Sequence, residues 1–357
     1  MLYTLIILGI VFVTSVVSIL CVIAFTRHFG FYDLIDARKV HTGNIPRLGG
    51  IGIIIGFVLG LVLFYMFRNS EFKLHNTIWP LIAGCTMIFI MGVWDDMTPW
   101  RARFKLLVQC SSAILIIVGG YTFSSITIEP LHLTVNFGIM QFPLTFLWII
   151  GVTNAVNLID GIDGLAGSIS LIITLTYALF FYKTGNEAAF LVCIVLAISI
   201  SGFLVLNLPF PKAKIFMGDG GSQFLGFTLA VLPLMSGSDG LATIGLPYTG
   251  ALLMIPIFDT IAAIWRRIRE KRSIDSPDKL HLHHKLMMMG FSSRRVLFIL
   301  IILQLIISIL VSSSYWVGGL LSFVLLFTVY LLGVLFFYII HIRKNKLLAD
   351  AELRELE

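Results

Sequence analysis

Charge is what this 357-residue chain has little of: Asp, Glu, Lys and Arg make up 12% of it, against roughly 25% in a soluble domain. Cysteine is scarce too. Cys21, Cys85, Cys110 and Cys193 stand singly inside apolar runs. That spacing excludes a disulfide framework or a cysteine metal knuckle and leaves them as small buried hydrophobes. No glycine loop runs into Gly-Lys-Ser or Gly-Lys-Thr, so there is no P-loop. Neither an internal repeat nor a low-complexity linker is present. The first 26 residues lack the basic segment of a cleavable signal. With Arg27 as the first positive charge, that run reads as an anchor with its N-terminus outside.

What is abundant is hydrocarbon. The chain is 58% hydrophobic with a mean hydropathy of +0.98, and its apolar residues fall into runs of about 20, the length that crosses a bilayer. The expected fold is an all-α polytopic integral membrane protein of about 11 transmembrane helices. They are placed near 3–26, 48–67, 77–94, 105–124, 142–158, 167–182, 188–206, 223–237, 243–266, 295–313 and 317–341. Residues 125–141 alternate apolar and polar side chains around a turn-like Phe-Gly, the pattern of a small outer hairpin. The whole of 1–357 reads as a single transmembrane catalytic domain. Of the 25 Lys and Arg residues, only Arg68, Lys73 and Lys183 fall in one set of loops, and the other 22 fall in the opposite set. The positive-inside rule makes that second side, and the C-terminus, cytoplasmic. The net charge of +6 lies mostly in these loops, where it meets lipid headgroups. The reading includes the bilayer as a partner and no nucleic acid.

The polar motifs gather on the basic side. In GVWDDMTPWRARFK, Asp95 and Asp96 close the third span; adjacent carboxylates at a membrane boundary are costly unless paired or holding metal. Arg101, Arg103 and Lys105 follow closely enough to share an anion with them. In NAVNLIDGIDGLAG, Asn154, Asn157 and Asp160 recur every three residues and lie near one helix face. Gly161 and Gly164 allow the chain to break there and re-aim Asp163. In KIFMGDGGSQFLG, Gly218 and its neighbours expose backbone N–H groups to an anion at a helix start. Asp219 there is a natural Mg²⁺ ligand, since Mg²⁺ takes one or two carboxylates plus phosphate oxygens, and Phe216 suits stacking on a base. In RRIREKRSIDSPDKLHLHHK, His281, His283 and His284 lack the fourth ligand of a zinc site and better suit a diphosphate. Arg266, a candidate phosphate and sugar contact, is seven residues after Asp259, an ionisable group inside the ninth span for which an ion pair and a catalytic role are equally open. Lys39, His41 and Arg47 in DARKVHTGNIPRLGG either touch a nucleotide or fix topology.

One face thus carries five candidate carboxylates, Asp95, Asp96, Asp160, Asp163 and Asp219, with three histidines and many cations. That set suits phosphoryl transfer from a soluble nucleotide-activated donor to a lipid phosphate, where positioning and charge neutralisation do most of the catalysis. The alternative from another class is a transporter, which predicts polar residues near the midplane of several spans and often repeated halves; only Asp259 is clearly intramembrane.

The Asp95–Asp96 pair, N-x-x-N-x-x-D-G-x-D-G-L-A-G, F-M-G-D-x-G-S and H-x-H-H, in this order, resemble the polyprenyl-phosphate N-acetylhexosamine-1-phosphate transferases. VHTGNIPRLGG and IPIFDTIAAIWRRI match as well, and the resemblance covers about residues 30–290; 291–357 adds two further helices and a tail. It implies a bacterial inner-membrane enzyme that moves GlcNAc-1-phosphate from UDP-GlcNAc to undecaprenyl phosphate. The products are undecaprenyl-diphospho-GlcNAc and UMP, with Mg²⁺ required, Mn²⁺ as its substitute, and a homodimer as the family's habit. The branch it favours starts teichoic acid, O-antigen or common antigen synthesis. The sister branch, phospho-N-acetylmuramoyl-pentapeptide transferase, carries three consecutive histidines, a run that Leu282 interrupts here. By motif, Asp219 is the metal ligand with Asp96 helping, and Asp95 is the base or acceptor-phosphate contact. Asn157, Asp160 and Phe216 line the nucleoside pocket with Asp163 close by, and the three histidines hold sugar and diphosphate.

Overall fold

The structure, a computed structural model, describes residues 2–29, 45–67, 78–210, 212–235, 244–273, 278 and 280–356. Its helices are α1 (Leu2–Phe29), α2 (Gly50–Phe67), α3 (Ile78–Met97), α4 (Ala102–Val118), α5 (Gln141–Ile159), α6 (Leu165–Thr184), α7 (Glu187–Asn207), α8 (Gly218–Val231), α9 (Leu246–Leu252), α10 (Met254–Arg269), α11 (Leu282–Met288), α12 (Ser293–Val317) and α13 (Gly319–Leu356). Two short strands, β1 (Ser125–Ile128) and β2 (Leu133–Asn136), pair antiparallel with Ile126 opposite Val135. The expected hairpin is present, but its turn is at Glu129–His132, with His132 at φ 49°. The Phe-Gly pair lies beyond the second strand.

The chain is an all-α polytopic membrane protein. Among the described residues, eight helices are long and apolar enough to cross a bilayer, and the bent pair α9–α10 makes nine. Two of the eleven expected spans are short: α4 has 17 residues and α8 has 14, under the roughly 20 a bilayer needs. Helix α8 is enclosed by α2, α3, α5 and α6, and Gly220 to Val231 are buried without exception. Protein surrounds it, so bilayer thickness does not set its length. The ninth expected span, 243–266, is not straight either: it turns by 80° between α9 and α10. Pro256 cannot donate to the Leu252 carbonyl four residues back. The Gln304 side chain of α12, fully buried, donates to that carbonyl instead (3.0 Å). A broken helix at membrane depth is tolerated when a neighbour satisfies the freed group.

The polar loops are pinned to this body by single side chains. Asn207, at the end of α7, accepts from the Gly164 N–H (2.9 Å) and donates to the Ile215 carbonyl (2.8 Å). It thereby ties the start of α6 to the segment entering α8. That segment also runs beside the one entering α2, through Phe216 N–H to the Pro46 carbonyl (2.8 Å) and Gly49 N–H to the Phe216 carbonyl (2.9 Å). Asn207 is 5% exposed, so replacing it leaves a buried donor and acceptor unpaired. Asn207→Ala is expected to cost about 2–4 kcal/mol, measured as a lower melting temperature of the detergent-purified chain, whereas Thr328→Ala on lipid-facing α13 is expected to leave it unchanged.

Candidate active site

Helices α3, α4, α5 and α8 end or begin at one point and bring the acidic motifs together. Asp96 closes α3, and its two carboxylate oxygens accept the N–H groups of Asp219 (2.9 Å) and Gly220 (3.0 Å). A carboxylate from another helix therefore caps the positive end of α8. Gly218 has φ +76°, and a Cβ there would collide with the Arg47 carbonyl and the Asp96 carboxylate. Only glycine admits this approach. Asp95, one residue earlier, accepts from the Trp100 N–H (2.7 Å) and from the Lys105 ammonium. Lys105, in the first turn of α4, also reaches Asp219 Oδ2 (3.1 Å). One cation thus bridges two motifs more than a hundred residues apart. Arg47 supplies a second positive charge, 3.3 Å from Asp96 and 3.7 Å from Asp219.

Asn157 faces the same group, donating to Asp219 Oδ1 (3.4 Å) and to Ser222 Oγ (2.8 Å). Asn154 is drawn into a side network, exchanging hydrogen bonds with Gln109, which also donates to Gln223 Oε1 (2.9 Å). Gln223 in turn is 3.5 Å from Asp219. Sequence reading passed over Gln109 and Gln223. Their signal was spacing: each follows a charged residue of the cluster, Lys105 or Asp219, by four positions, one helical turn. It also gave Arg47 no more weight than Lys39 and His41, both of which lie outside the described residues.

Asp160 caps the end of α5. Desolvation, then the negative charges of Asp219, Asp96 and Asp163, push its carboxyl up to about 8, against a smaller pull from Arg47. The chain does break here, but positive φ belongs to Gly164 (78°), not Gly161. Gly161 is needed for a different reason: a Cβ there would overlap the His283 ring. The histidine motif is thereby laid directly on the aspartate motif. His283 is 2% exposed, and neither ring nitrogen has a hydrogen-bond partner among the described residues. Its ring lies parallel to that of His281 at 6.1 Å and 4.2 Å from that of His284.

Helix α10 holds this loop. Asp259, 1% exposed, accepts from His281 Nδ1 (2.9 Å) and from the Leu282 N–H (2.8 Å). Its partner is His281, so the ion pair with Arg266 that the sequence left open does not form. Arg266 instead pairs with Asp278 (2.6 Å), which also accepts from the Leu280 N–H. Arg266 is committed to bracing the loop. Arg101 stands exposed at the start of α4, and Phe216 is partly buried beside Arg47's segment.

Among the described residues no three His, Cys, Asp or Glu side chains form a closed metal cage. The fit to Mg²⁺ is of the open kind, with few protein ligands. Asp95 and Asp219 converge on the single ammonium of Lys105, and among the described residues Arg47 adds a second cation beside Asp96 and Asp219.

The family model described as Glycosyl transferase family 4 matches residues 78–237, which span the acidic cluster. A relative from Bacillus subtilis (strain 168), named a probable undecaprenyl-phosphate N-acetylglucosaminyl 1-phosphate transferase, is 34% identical over 323 residues, 88% of each chain. The chain belongs to glycosyl transferase family 4. Family members from Yersinia pestis and Escherichia coli (strain K12), each named an undecaprenyl-phosphate alpha-N-acetylglucosaminyl 1-phosphate transferase, are both 31% identical. The first covers 77% of this chain and 74% of its own, the second 81% and 78%.

Burial, then the charge of His284, pulls the His283 imidazole from 6.5 down to about 3. The folded ring binds its proton more weakly than the unfolded one, so its effect on stability is flat above pH 6.5. Below that, stability is lost as pH falls toward 3. His283→Gln is expected to flatten this part of a melting-temperature profile. Gly161→Ala should lower the melting temperature at every pH, by overpacking of about 1–3 kcal/mol.

Proposed function

We propose that this family 4 enzyme transfers N-acetylglucosamine-1-phosphate from UDP-GlcNAc to undecaprenyl phosphate, releasing UMP, at the cytoplasmic face of the bacterial inner membrane. The observation that carries the reading is the convergence of Asp95, Asp219 and Lys105 at the ends of membrane helices. The histidine motif lies on the Asp160–Asp163 turn beside them. The names of the relatives support the same reaction and acceptor.

The acceptor phosphate is already a nucleophile. One of its oxygens attacks the phosphorus of the sugar phosphate, a new P–O bond forms, and the bridging P–O bond to the uridylyl phosphate breaks. UMP leaves with that electron pair. Asp95, held by Lys105 and the Trp100 amide, takes the proton of the acceptor phosphate. Asp219 would hold Mg²⁺, which supplies neutralisation of charge on the diphosphate. Asp96, whose oxygens both accept backbone N–H groups, aims Asp219 rather than ligating. Asn157, Asp160 and Phe216 face the nucleoside, with Gly218 beside it and Asp163 at the turn. Asp259 fixes the His281 tautomer with Nδ1–H donated, leaving Nε2 as an acceptor for a sugar hydroxyl. A desolvated His283 without a partner suits the same ligand, and Arg101 offers a further cation. Leu282, where the pentapeptide branch has histidine, is fully buried, which favours the GlcNAc branch.

UMP release by the purified chain with Mg²⁺ and undecaprenyl phosphate tests the reading, with UDP-GalNAc and UDP-MurNAc-pentapeptide run in parallel. UDP-GlcNAc is expected to be the preferred donor, and Asp219→Asn to cost about 10²–10³-fold or more in kcat. UMP release from UDP-MurNAc-pentapeptide alone would move the chain to the sister branch. No release from any donor, with binding intact, would return it to transport.

A further inference from the structure

Behind the histidines lies a second charged cluster that the reaction does not use. Lys285 follows His283 by two positions, which on a helix turns it about 200° away, toward α10 and α13. It is 3% exposed, and Lys344 of α13 is 9% exposed. Neither has an ion-pair partner among the described residues. The nearby carboxylates are taken: Asp278 by Arg266 and Asp259 by His281. His341, one turn before Lys344, lies within electrostatic reach of Lys285, Lys344, Arg266 and Arg269. Burial, then Arg266, lowers the Lys285 ammonium to about 8, with Asp259 opposing and Lys344 adding. Buried like charges that form no ion pair among the described residues are costly, which points to an anion that completes the cluster.

The surroundings say which anion. Trp265 and Ile268 on α10, and Tyr338 and Ile342 on α13, are 67%, 56%, 60% and 46% exposed. These side chains make the outward faces of both helices apolar at the level of the cations. Aromatic rings beside cations at the end of a span mark the headgroup level of a bilayer. Basic pockets between transmembrane helices take anionic lipid headgroups.

We propose that Lys285 and Lys344, between α10, α11 and α13, bind the headgroup phosphate of an anionic phospholipid whose chains lie on the exposed faces of α10 and α13. Since α10 and α11 carry Asp259 and the histidines, the bound lipid braces the histidine loop from behind.

Native mass spectrometry of the full chain, released from micelles doped with phosphatidylglycerol or phosphatidylcholine, tests this. Retention of phosphatidylglycerol is expected to be favoured about thirtyfold, and Lys344→Gln or Lys285→Met to cut the preference roughly fivefold each. Arg343→Gln, at an exposed neighbouring position, should keep it. Lys344→Gln, on the outermost helix, carries the test if Lys285→Met does not fold. Equal retention of the two lipids would overturn the proposal, as would a preference that survives Lys344→Gln. Displacement of phosphatidylglycerol by inorganic phosphate at equal concentration would overturn it in favour of a free-anion site.

Discussion

Asp96 accepts the Asp219 and Gly220 amides, and the arrangement of the polar end depends on that pair of hydrogen bonds. Helix α8 is buried along nearly its whole length, so its first N–H groups have little access to water. Orphan donors at a buried helix start are costly unless a partner is provided. The partner comes from α3, which fixes the height at which α3 meets α8. Lys105 and Arg47 then follow the charge.

The cluster gathers its carboxyl groups in a desolvated place. The cost appears at Asp160, whose carboxyl is pushed up to about 8 by burial and by its acidic neighbours. The proposed binding of a divalent cation and phosphate oxygens would give such a gathering of carboxylates a use, because the incoming charges are part of the balance.

The histidine loop obeys a similar rule with the parts reversed. Asp259 and Asp278 each accept one side-chain and one backbone N–H, and together they clamp the loop between residues 278 and 282 onto α10. Helix α10 can present Asp259 there because the α9–α10 bend redirects it, and the bend persists because Gln304 satisfies the carbonyl that Pro256 leaves. An apolar helix of α12 thus supports the polar loop through one buried amide.

The sequence by itself determined the class of protein and the residue types of its site. Long apolar runs and few charges specify membrane helices, and polar residues repeated at helical intervals between them mark a polar cluster at one end of the bundle. Asp95, Asp96, Asn157, Asp160 and Asp219 were legible because polar residues at a membrane boundary stand out against hydrocarbon. Their division of labour was not. Only the tertiary structure gave Asp96 to the α8 amides, Lys105 to both Asp95 and Asp219, Arg266 to Asp278, and Gly161 to His283. Each of these pairings crosses a large sequence separation or a bend, and one-dimensional spacing carries no information about which buried donor lies nearest which acceptor. Two expected spans proved short and a third broken for the same reason. Hydropathy registers apolar surroundings, but only packing decides whether they are lipid or protein.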